Sequence, residues 1–140
     1  MFIDYDIRGL YPKEVNEKLA SFLANKFYYF LKKNKISRSI FLGIDERNSS
    51  IKLASAFANS YLNLPQAKIT YLGVTPSPVF YFLCIKNKQA GVIVTASHLP
   101  LKYNGFKFIL PNGLIWTYRG NFKKITSKNK NIEIKYKKKY

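Results

Sequence analysis

Ser97 and His98 stand side by side at the end of an apolar run, and Lys107 follows close to a glycine. A serine hydroxyl is a weak nucleophile that needs an adjacent base and local positive charge. A strand that delivers a serine, a histidine and a lysine to one mouth could therefore form a chemically active site. A Ser-His pair alone is most often turn chemistry, so these residues predict a site only together with other features.

The run before Ser97 predicts the strand that positions it. Val92-Ile93-Val94 is β-branched and typical of a strand covered on both faces, while the Asn104-Gly105 pair indicates a turn. Ligands of open α/β sheets bind beyond the carboxyl ends of such strands. We therefore predict that Ser97 lies in a turn at the carboxyl end of a strand over residues 90–96.

Helical and strand patterns alternate along the rest of the chain. Apolar residues at spacings of three and four predict a first helix of about twenty residues that Pro12 opens and that ends near Lys33. The further predictions are strands over 39–45, 67–72 and 105–110, a helix capped by Ser49 or Ser50 that reaches about Leu62, and a helix from Pro78 to about Asn87. This order predicts a single-domain α/β fold, a three-layer α/β/α sandwich with a largely parallel mixed sheet.

Positive charge is the unusual feature of the composition. The chain has 140 residues and a formal net charge of +17, and residues 119–140 hold nine Lys or Arg against one Glu. We predict a folded domain over 1–118 and a basic Lys-rich tail over 119–140, in which 132–136 alternates like an isolated strand. The other lysines are spread along the chain, whereas a binding patch would be expected to concentrate them.

Cysteine usage and hydropathy bear on the compartment. Cys84 is the single cysteine, has no disulfide partner and is expected to be a small core residue. No apolar run approaches the roughly 20 residues that span a bilayer, and acidic residues stand where a signal peptide would need a basic start. These features predict a cytoplasmic protein.

Three segments together resemble the α-D-phosphohexomutases, the phosphomannomutase and phosphoglucomutase family. TASHLP, followed by YNGFK at 103–107, is similar to the family's active-serine loop. YDIRG at 5–9 is similar to its N-terminal segment, and GIDERNSS at 43–50 to its GxDxRxSS turn; TPSP at 75–78 also resembles a family stretch. The resemblance runs from about Tyr5 to about Ile115 and covers the first of the family's four domains.

This resemblance implies a role for each site residue. Ser97 would be the phosphoserine, and Lys107 would lie against it as a cation or proton-transfer group. His98 would be a substrate-facing or proton-relay neighbour. Tyr5 and Arg8 would line the same mouth and bind phosphate, for which the planar guanidinium of arginine is suited. Asp45 and Arg47 are interpreted as a structural salt link.

The sequence also departs from the family pattern. Leu99 stands where the family usually has Asn, which removes a polar group that could bond the turn. The family's magnesium is held by an aspartate cluster in a later domain, and the aspartates of this chain are Asp4, Asp6 and Asp45. Ser97 could contact the metal only through its phosphate. We therefore predict that this chain alone neither binds magnesium nor turns over hexose phosphates.

Several functions stay open from the sequence. The first is the active-serine domain of an enzyme that interconverts hexose 1- and 6-phosphates, either truncated or completed by a separate chain carrying the missing domains. The second is a basic module that binds nucleic acid or an anionic surface. The third is a decayed, inactive remnant. The choice between mannose and glucose would lie in the missing domains.

Overall fold

The computed structural model describes residues 7–118, which form a mixed sheet of six strands and three helices. The elements in chain order are β1 (Ile7–Leu10), α1 (Glu17–Lys33), β2 (Ser39–Ile44), α2 (Asn48–Leu62), β3 (Lys68–Val74), α3 (Ser77–Asn87), β4 (Gly91–Val94), β5 (Tyr103–Ile109) and β6 (Ile115–Trp116). The predicted three-layer α/β/α architecture is confirmed. Tyr5, the basic tail and the predicted strand over 132–136 lie outside the described residues.

The strand order is β1-β5-β4-β2-β3, and β6 pairs with the other part of β5. β2 runs parallel to both β3 and β4, as expected for strands joined by crossover helices. β5 runs antiparallel to β4, β1 and β6. The sheet therefore has a parallel half, formed by β4, β2 and β3, and an antiparallel half centred on β5.

Alternation along β4 gives the sheet two buried faces. Val92 and Val94 pack into a large core with α1 and α2, whereas Ile93 packs with Phe80 and Cys84 of α3. This is why the run lacks polar residues: both of its faces are covered. β4 is thereby fixed in the middle of the molecule, and the loop that follows it starts from a rigid base.

α3 approaches the sheet closely over two glycines. A Cβ on Gly91 would lie 2.7 Å from Phe80 Cζ and 2.8 Å from Cys84 Sγ, and a Cβ on Gly43 would lie 3.0 Å from Phe80 Cδ1. The aromatic ring of Phe80 thus occupies the space that side chains on β2 and β4 would fill. This close approach sets the distance between α3 and the strands β2 and β4.

Three local predictions were wrong. α1 begins at Glu17, not at Pro12, because the Asn16 side chain caps it by accepting a hydrogen bond of 3.0 Å from the Leu19 N–H. α2 begins at Asn48 after Arg47 and has no side-chain cap; the Ser50 hydroxyl donates to Asp45 instead. The Asn104-Gly105 pair lies inside β5, where β1 pairs with it, so the turn comes earlier, with the Tyr103 N–H bonded to Pro100 O.

Candidate active site

Ser97 lies in a turn just beyond the carboxyl end of β4, as predicted. Thr95 and Ala96 are still buried, and Ser97 is the first exposed residue of the segment. Its φ is +56°, in the left-handed region that non-glycine residues seldom occupy. A conformation of this kind persists only where the surrounding structure holds it, and such residues are frequent at functional sites.

A cavity of about 640 Å³ opens beside Ser97. His98 and Lys107 line it, so three of the predicted site residues face one space. The opposite wall comes from the start of α3, with Ser77 and Pro78. The remaining lining residues are Asp45, Glu46, Arg47, Thr75, Pro76, Tyr81, Thr95 and Leu101.

Lys107 reaches this cavity from β5. It pairs with Ile93 of β4 and so faces the α3 side of the sheet. Its ammonium lies 5.7 Å from the centre of the Tyr81 ring, a cation–π distance, and the side chain is half-buried. A positive charge held on the wall next to an exposed serine is suited to neutralise phosphate oxygens.

Arg8 is on the same face of the sheet as Lys107 but is not among the residues that line the cavity. It pairs with Gly105, and a Cβ added to Gly105 would lie 2.8 Å from Arg8 Cγ and would collide with Ile7 O. The bare backbone of Gly105 therefore lets the Arg8 side chain lie across β5. The structure brings Arg8 to the neighbourhood of the cavity rather than into it, and Tyr5 is outside the described residues.

Arg47 is the main participant whose part the sequence did not predict. Its salt bridge with Asp45 is present, with Nε 2.9 Å from Oδ2. In addition, Nη1 donates to Pro100 O at 2.6 Å and Tyr103 O at 3.0 Å, and Nη2 donates to Ser97 O at 3.0 Å and Leu99 O at 2.8 Å. Four carbonyls of the serine loop thus converge on one guanidinium, a long-range arrangement that no local sequence pattern encodes.

Asp45 connects Arg47 with the N–H of Ser97 through the Thr95 hydroxyl. Its Oδ2 accepts from Arg47 and, at 2.9 Å, from the Thr95 hydroxyl, and the Thr95 oxygen accepts the Ser97 N–H at 3.0 Å. Burial alone would raise the pKa of Asp45, but the hydrogen bonds from Ser50, Thr95 and the Arg47 main chain and side chain together lower it. Asp45 is therefore ionised at neutral pH and balances the charge of Arg47.

Neighbouring contacts hold the frame of the loop. The Asn104 amide, fully buried on β5, donates to Ser49 Oγ at 2.7 Å and Ser50 Oγ at 2.9 Å at the start of α2. Both backbone groups of Leu99 are bonded, its N–H to Ala96 O and its carbonyl to Arg47. The backbone of the loop is thus held without the amide that the family usually has at position 99.

The described residues do not suit magnesium. No group of three His, Cys, Asp or Glu side chains over residues 7–118 could hold a metal ion. Asp45 is the one aspartate of that part, and its oxygens are committed to Arg47, Thr95 and Ser50. Magnesium needs several oxygen ligands in near-octahedral geometry, and Asp45 with its neighbours does not supply them.

Comparison with known proteins agrees with this fold. The family model described as phosphoglucomutase/phosphomannomutase, alpha/beta/alpha domain I, matches residues 1–133. Phosphoglucosamine mutases from Clostridium botulinum and Clostridium acetobutylicum are 36% and 34% identical over 114 residues, which are 81% of this chain and 25% of theirs. The chain therefore spans about a quarter of the length of these curated relatives.

A solved structure gives the same result in three dimensions. A phosphoglucomutase/phosphomannomutase family protein from Burkholderia thailandensis superimposes with a TM-score of 0.71 and 27% identity, over 83% of this chain and 27% of that one. Within residues 7–118, none of the helices has the length and apolar character needed to cross a membrane.

Proposed function

This chain belongs to the phosphoglucomutase/phosphomannomutase family through the alpha/beta/alpha domain I, and we propose that Ser97 is the residue that carries the phosphoryl group of a hexose phosphomutase reaction. The observation that carries the proposal is the position of Ser97, exposed in a left-handed turn at the mouth of a cavity that His98 and Lys107 also line. Hexose phosphates are the proposed substrates, and cytoplasm the proposed location.

The proposed chemistry has two half-reactions. A sugar hydroxyl attacks the phosphorus of phospho-Ser97, the bond from phosphorus to Ser97 Oγ breaks, and a sugar bisphosphate forms. The second half runs in reverse from the other phosphate of the bisphosphate and restores phospho-Ser97. In each half one hydroxyl loses a proton and one oxygen gains a proton, and His98 and Lys107 are the cavity residues whose nitrogens could hold it.

Neutralising the charge on the phosphoryl oxygens is the larger part of the proposed catalysis. Phosphoryl transfer depends mainly on alignment and on stabilising the three equatorial oxygens. Lys107 lines the cavity wall and would serve this role, and Arg8 lies on the same face of the sheet, on β1 opposite Gly105. Residues 7–118 contain no cluster that could hold a metal, and the resemblance implies that sugar recognition lies in other domains, so we propose that turnover requires the remaining domains, in a longer chain or on a separate one. The family match does not favour the basic-module alternative.

Phosphorylation of Ser97 tests the proposal directly. The purified chain is incubated with magnesium, the remaining three quarters of the Clostridium botulinum relative in trans, and glucose, mannose or glucosamine 1,6-bisphosphate, and the transferred phosphoryl group is located by mass spectrometry. We expect one phosphoryl group on Ser97, none in Ser97→Ala, and an unchanged result in Ser77→Ala, which removes a different serine hydroxyl from the same cavity. Phosphorylation that persists in Ser97→Ala would show that Ser97 is not the carrier.

A coupled mutase assay tests the need for other domains. We expect no turnover by the chain with magnesium and a bisphosphate primer, because losing a metal site and a substrate clamp together costs many powers of ten. Turnover should appear when the remaining three quarters of the Clostridium botulinum relative is supplied in trans, and Ser97→Ala should abolish it. Ser97-dependent turnover by the chain alone would contradict this part of the proposal.

A further inference from the structure

Arg47 lines the cavity beside Ser97, so its obvious role would be to bind phosphate. Its hydrogen bonds indicate a different role. A guanidinium has five N–H groups, and here Nε donates to Asp45, Nη1 to two carbonyls and Nη2 to two more. All five donors are engaged, and the side chain is only 7% exposed. Arg47 could bind a phosphate only by releasing part of the serine loop.

The four carbonyls belong to one short segment with an unusual backbone. They are those of Ser97, Leu99, Pro100 and Tyr103, so Arg47 holds the loop from its first exposed residue to the start of β5. A left-handed backbone at a serine costs on the order of 1–3 kcal/mol unless its surroundings maintain it. The carbonyl of Ser97 itself is one of the four that Arg47 bonds.

The N–H of Ser97 is held by the same network from its other end. Thr95 Oγ accepts it at 3.0 Å and in turn donates at 2.9 Å to Asp45 Oδ2, the oxygen that also accepts from Arg47 Nε. Both backbone polar groups of Ser97 therefore lead to Asp45, one through Thr95 and the other through Arg47. The buried cation and its counter-ion are partnered, which satisfies the requirement for burying charge.

We propose that Arg47, anchored by Asp45, is a positioning residue that holds Ser97 in its left-handed conformation and presents the hydroxyl to the cavity, and that it does not bind the substrate phosphate. This inference rests on the proposed function for its purpose, but the state of the loop can be measured without any catalysis. A lysine cannot replace Arg47, because an ammonium has three donors on one nitrogen and cannot span four carbonyls.

Amide hydrogen exchange and NMR on the full chain test the inference. In Arg47→Lys we expect the amides of Ser97, Leu99 and Tyr103 to exchange at least tenfold faster, while those of Val92 and Val94 in β4 change far less. The strong intraresidue HN–Hα NOE that accompanies a positive φ should weaken at Ser97. Arg38→Lys is the matched control, since Arg38 donates to Gln66 on the exposed surface and should leave the loop unchanged.

Thr95 provides a second pair of variants that keeps the test decisive if Arg47→Lys does not fold. Thr95→Val removes the hydroxyl that accepts the Ser97 N–H, and Thr95→Ser retains it. We expect exchange of the Ser97 amide to accelerate at least tenfold in Thr95→Val and to stay within about threefold of the wild type in Thr95→Ser.

Two results would overturn the inference. One is equal acceleration of loop and β4 amides in both Arg47→Lys and Thr95→Val, which would make the network a general stabiliser of the domain. The other is a Ser97 amide and NOE that do not change in folded variants. If instead the loop responds as expected but Ser97 accepts no phosphoryl group, the proposed function fails and the positioning role stands.

Discussion

Replacing Gly91 with alanine should push α3 away from the sheet and from the cavity. The added methyl would lie 2.7 Å and 3.0 Å from two ring carbons of Phe80 and 2.8 Å from Cys84 Sγ. Carbon atoms in contact prefer about 3.5–4.0 Å, so the shortfall is about 1 Å. The atoms it meets are side-chain atoms in a core packed without large voids, so the helix must shift or the ring must leave its rotamer.

Two opposing contributions set the change in the free energy of unfolding. Overpacking of this kind costs about 1–3 kcal/mol, and replacing a strand glycine by alanine returns roughly 0.5–1 kcal/mol of conformational entropy. We expect Gly91→Ala to lower the free energy of unfolding by about 1–2 kcal/mol, which for a domain of this size is roughly 4–8 °C in Tm. Gly43→Ala, whose methyl would meet Phe80 at 3.0–3.2 Å, should be nearly neutral.

A double-mutant cycle measured by urea unfolding separates the steric cause from other effects. Phe80→Leu lacks the ring carbons that the Gly91 methyl would meet, so Gly91→Ala should cost about 1 kcal/mol less in that background. Strict additivity of the two changes, or a Gly91→Ala protein as stable as the wild type, would refute the steric reasoning. Phosphorylation of Ser97 should weaken in Gly91→Ala more than in Gly43→Ala, since the start of α3 forms one wall of the cavity.

Three further results are expected. Burial raises the pKa of the Cys84 thiol to about 12, so a disulfide reagent at pH 8 should leave the folded chain unmodified and label it in denaturant; rapid labelling of the native chain would contradict this burial. The pKa of Asp45 is lower in the folded than in the unfolded chain, so its carboxylate stabilises the fold above the unfolded pKa, and this stabilisation is lost as pH falls through the folded pKa. The difference in free energy of unfolding between wild type and Asp45→Asn should therefore narrow below pH 3.8, and a constant difference would refute the assignment. Removal of residues 121–140 should leave cooperative unfolding intact, because residues 7–118 contain a core of their own; loss of the transition would show that the tail is needed.

The elements that the sequence predicted well are those whose pattern is set by burial. β2, β4 and α2 end where apolar periodicity ends, and α3 spans nearly the residues that Pro78 and the following apolar run indicated. β1 and β6 were not predicted, because the IRGL of β1 interrupts its apolar residues with Arg and Gly and the two residues of β6 are too few to show alternation. The start of α1 was misplaced because a proline at a first turn and an asparagine cap are both valid signals, and the cap prevailed.

The Asn104-Gly105 pair shows a different kind of error. Asn-Gly is a strong turn signal on local grounds, yet both residues lie inside β5. Asn104 is held there by the serine hydroxyls at the start of α2, and Gly105 is needed because the β1 backbone and the Arg8 side chain approach too closely for a Cβ. Both requirements come from segments distant in sequence, so local turn propensity could not reveal them.

The same distinction applies to the site. That Ser97, His98 and Lys107 line one cavity could be predicted from the sequence, because they stand at recognisable positions of the TASHLP and YNGFK segments. Arg47 could be paired with Asp45, two residues away, but its carbonyl partners lie 50 to 56 residues along the chain and depend on the loop conformation itself. The contacts of a buried arginine are thus harder to predict than the residues of a recognisable loop, because they depend on the backbone that surrounds the side chain.

The location of these contacts separates the presentation of Ser97 from the rest of the reaction. Within residues 7–118, the hydrogen bonds to the Ser97 backbone come from Thr95 and Arg47, and Asp45 anchors both. The described residues therefore contain the groups that hold the strained turn, whereas the proposed metal binding and sugar recognition would require groups from other domains. A domain that spans a quarter of its relatives' length can on this basis hold its serine ready for phosphorylation and still be unable to complete a catalytic cycle. The conformation of the serine loop and turnover are for this reason expected to separate experimentally in this chain, the first depending on Arg47, Thr95 and Asp45 and the second on domains supplied to it.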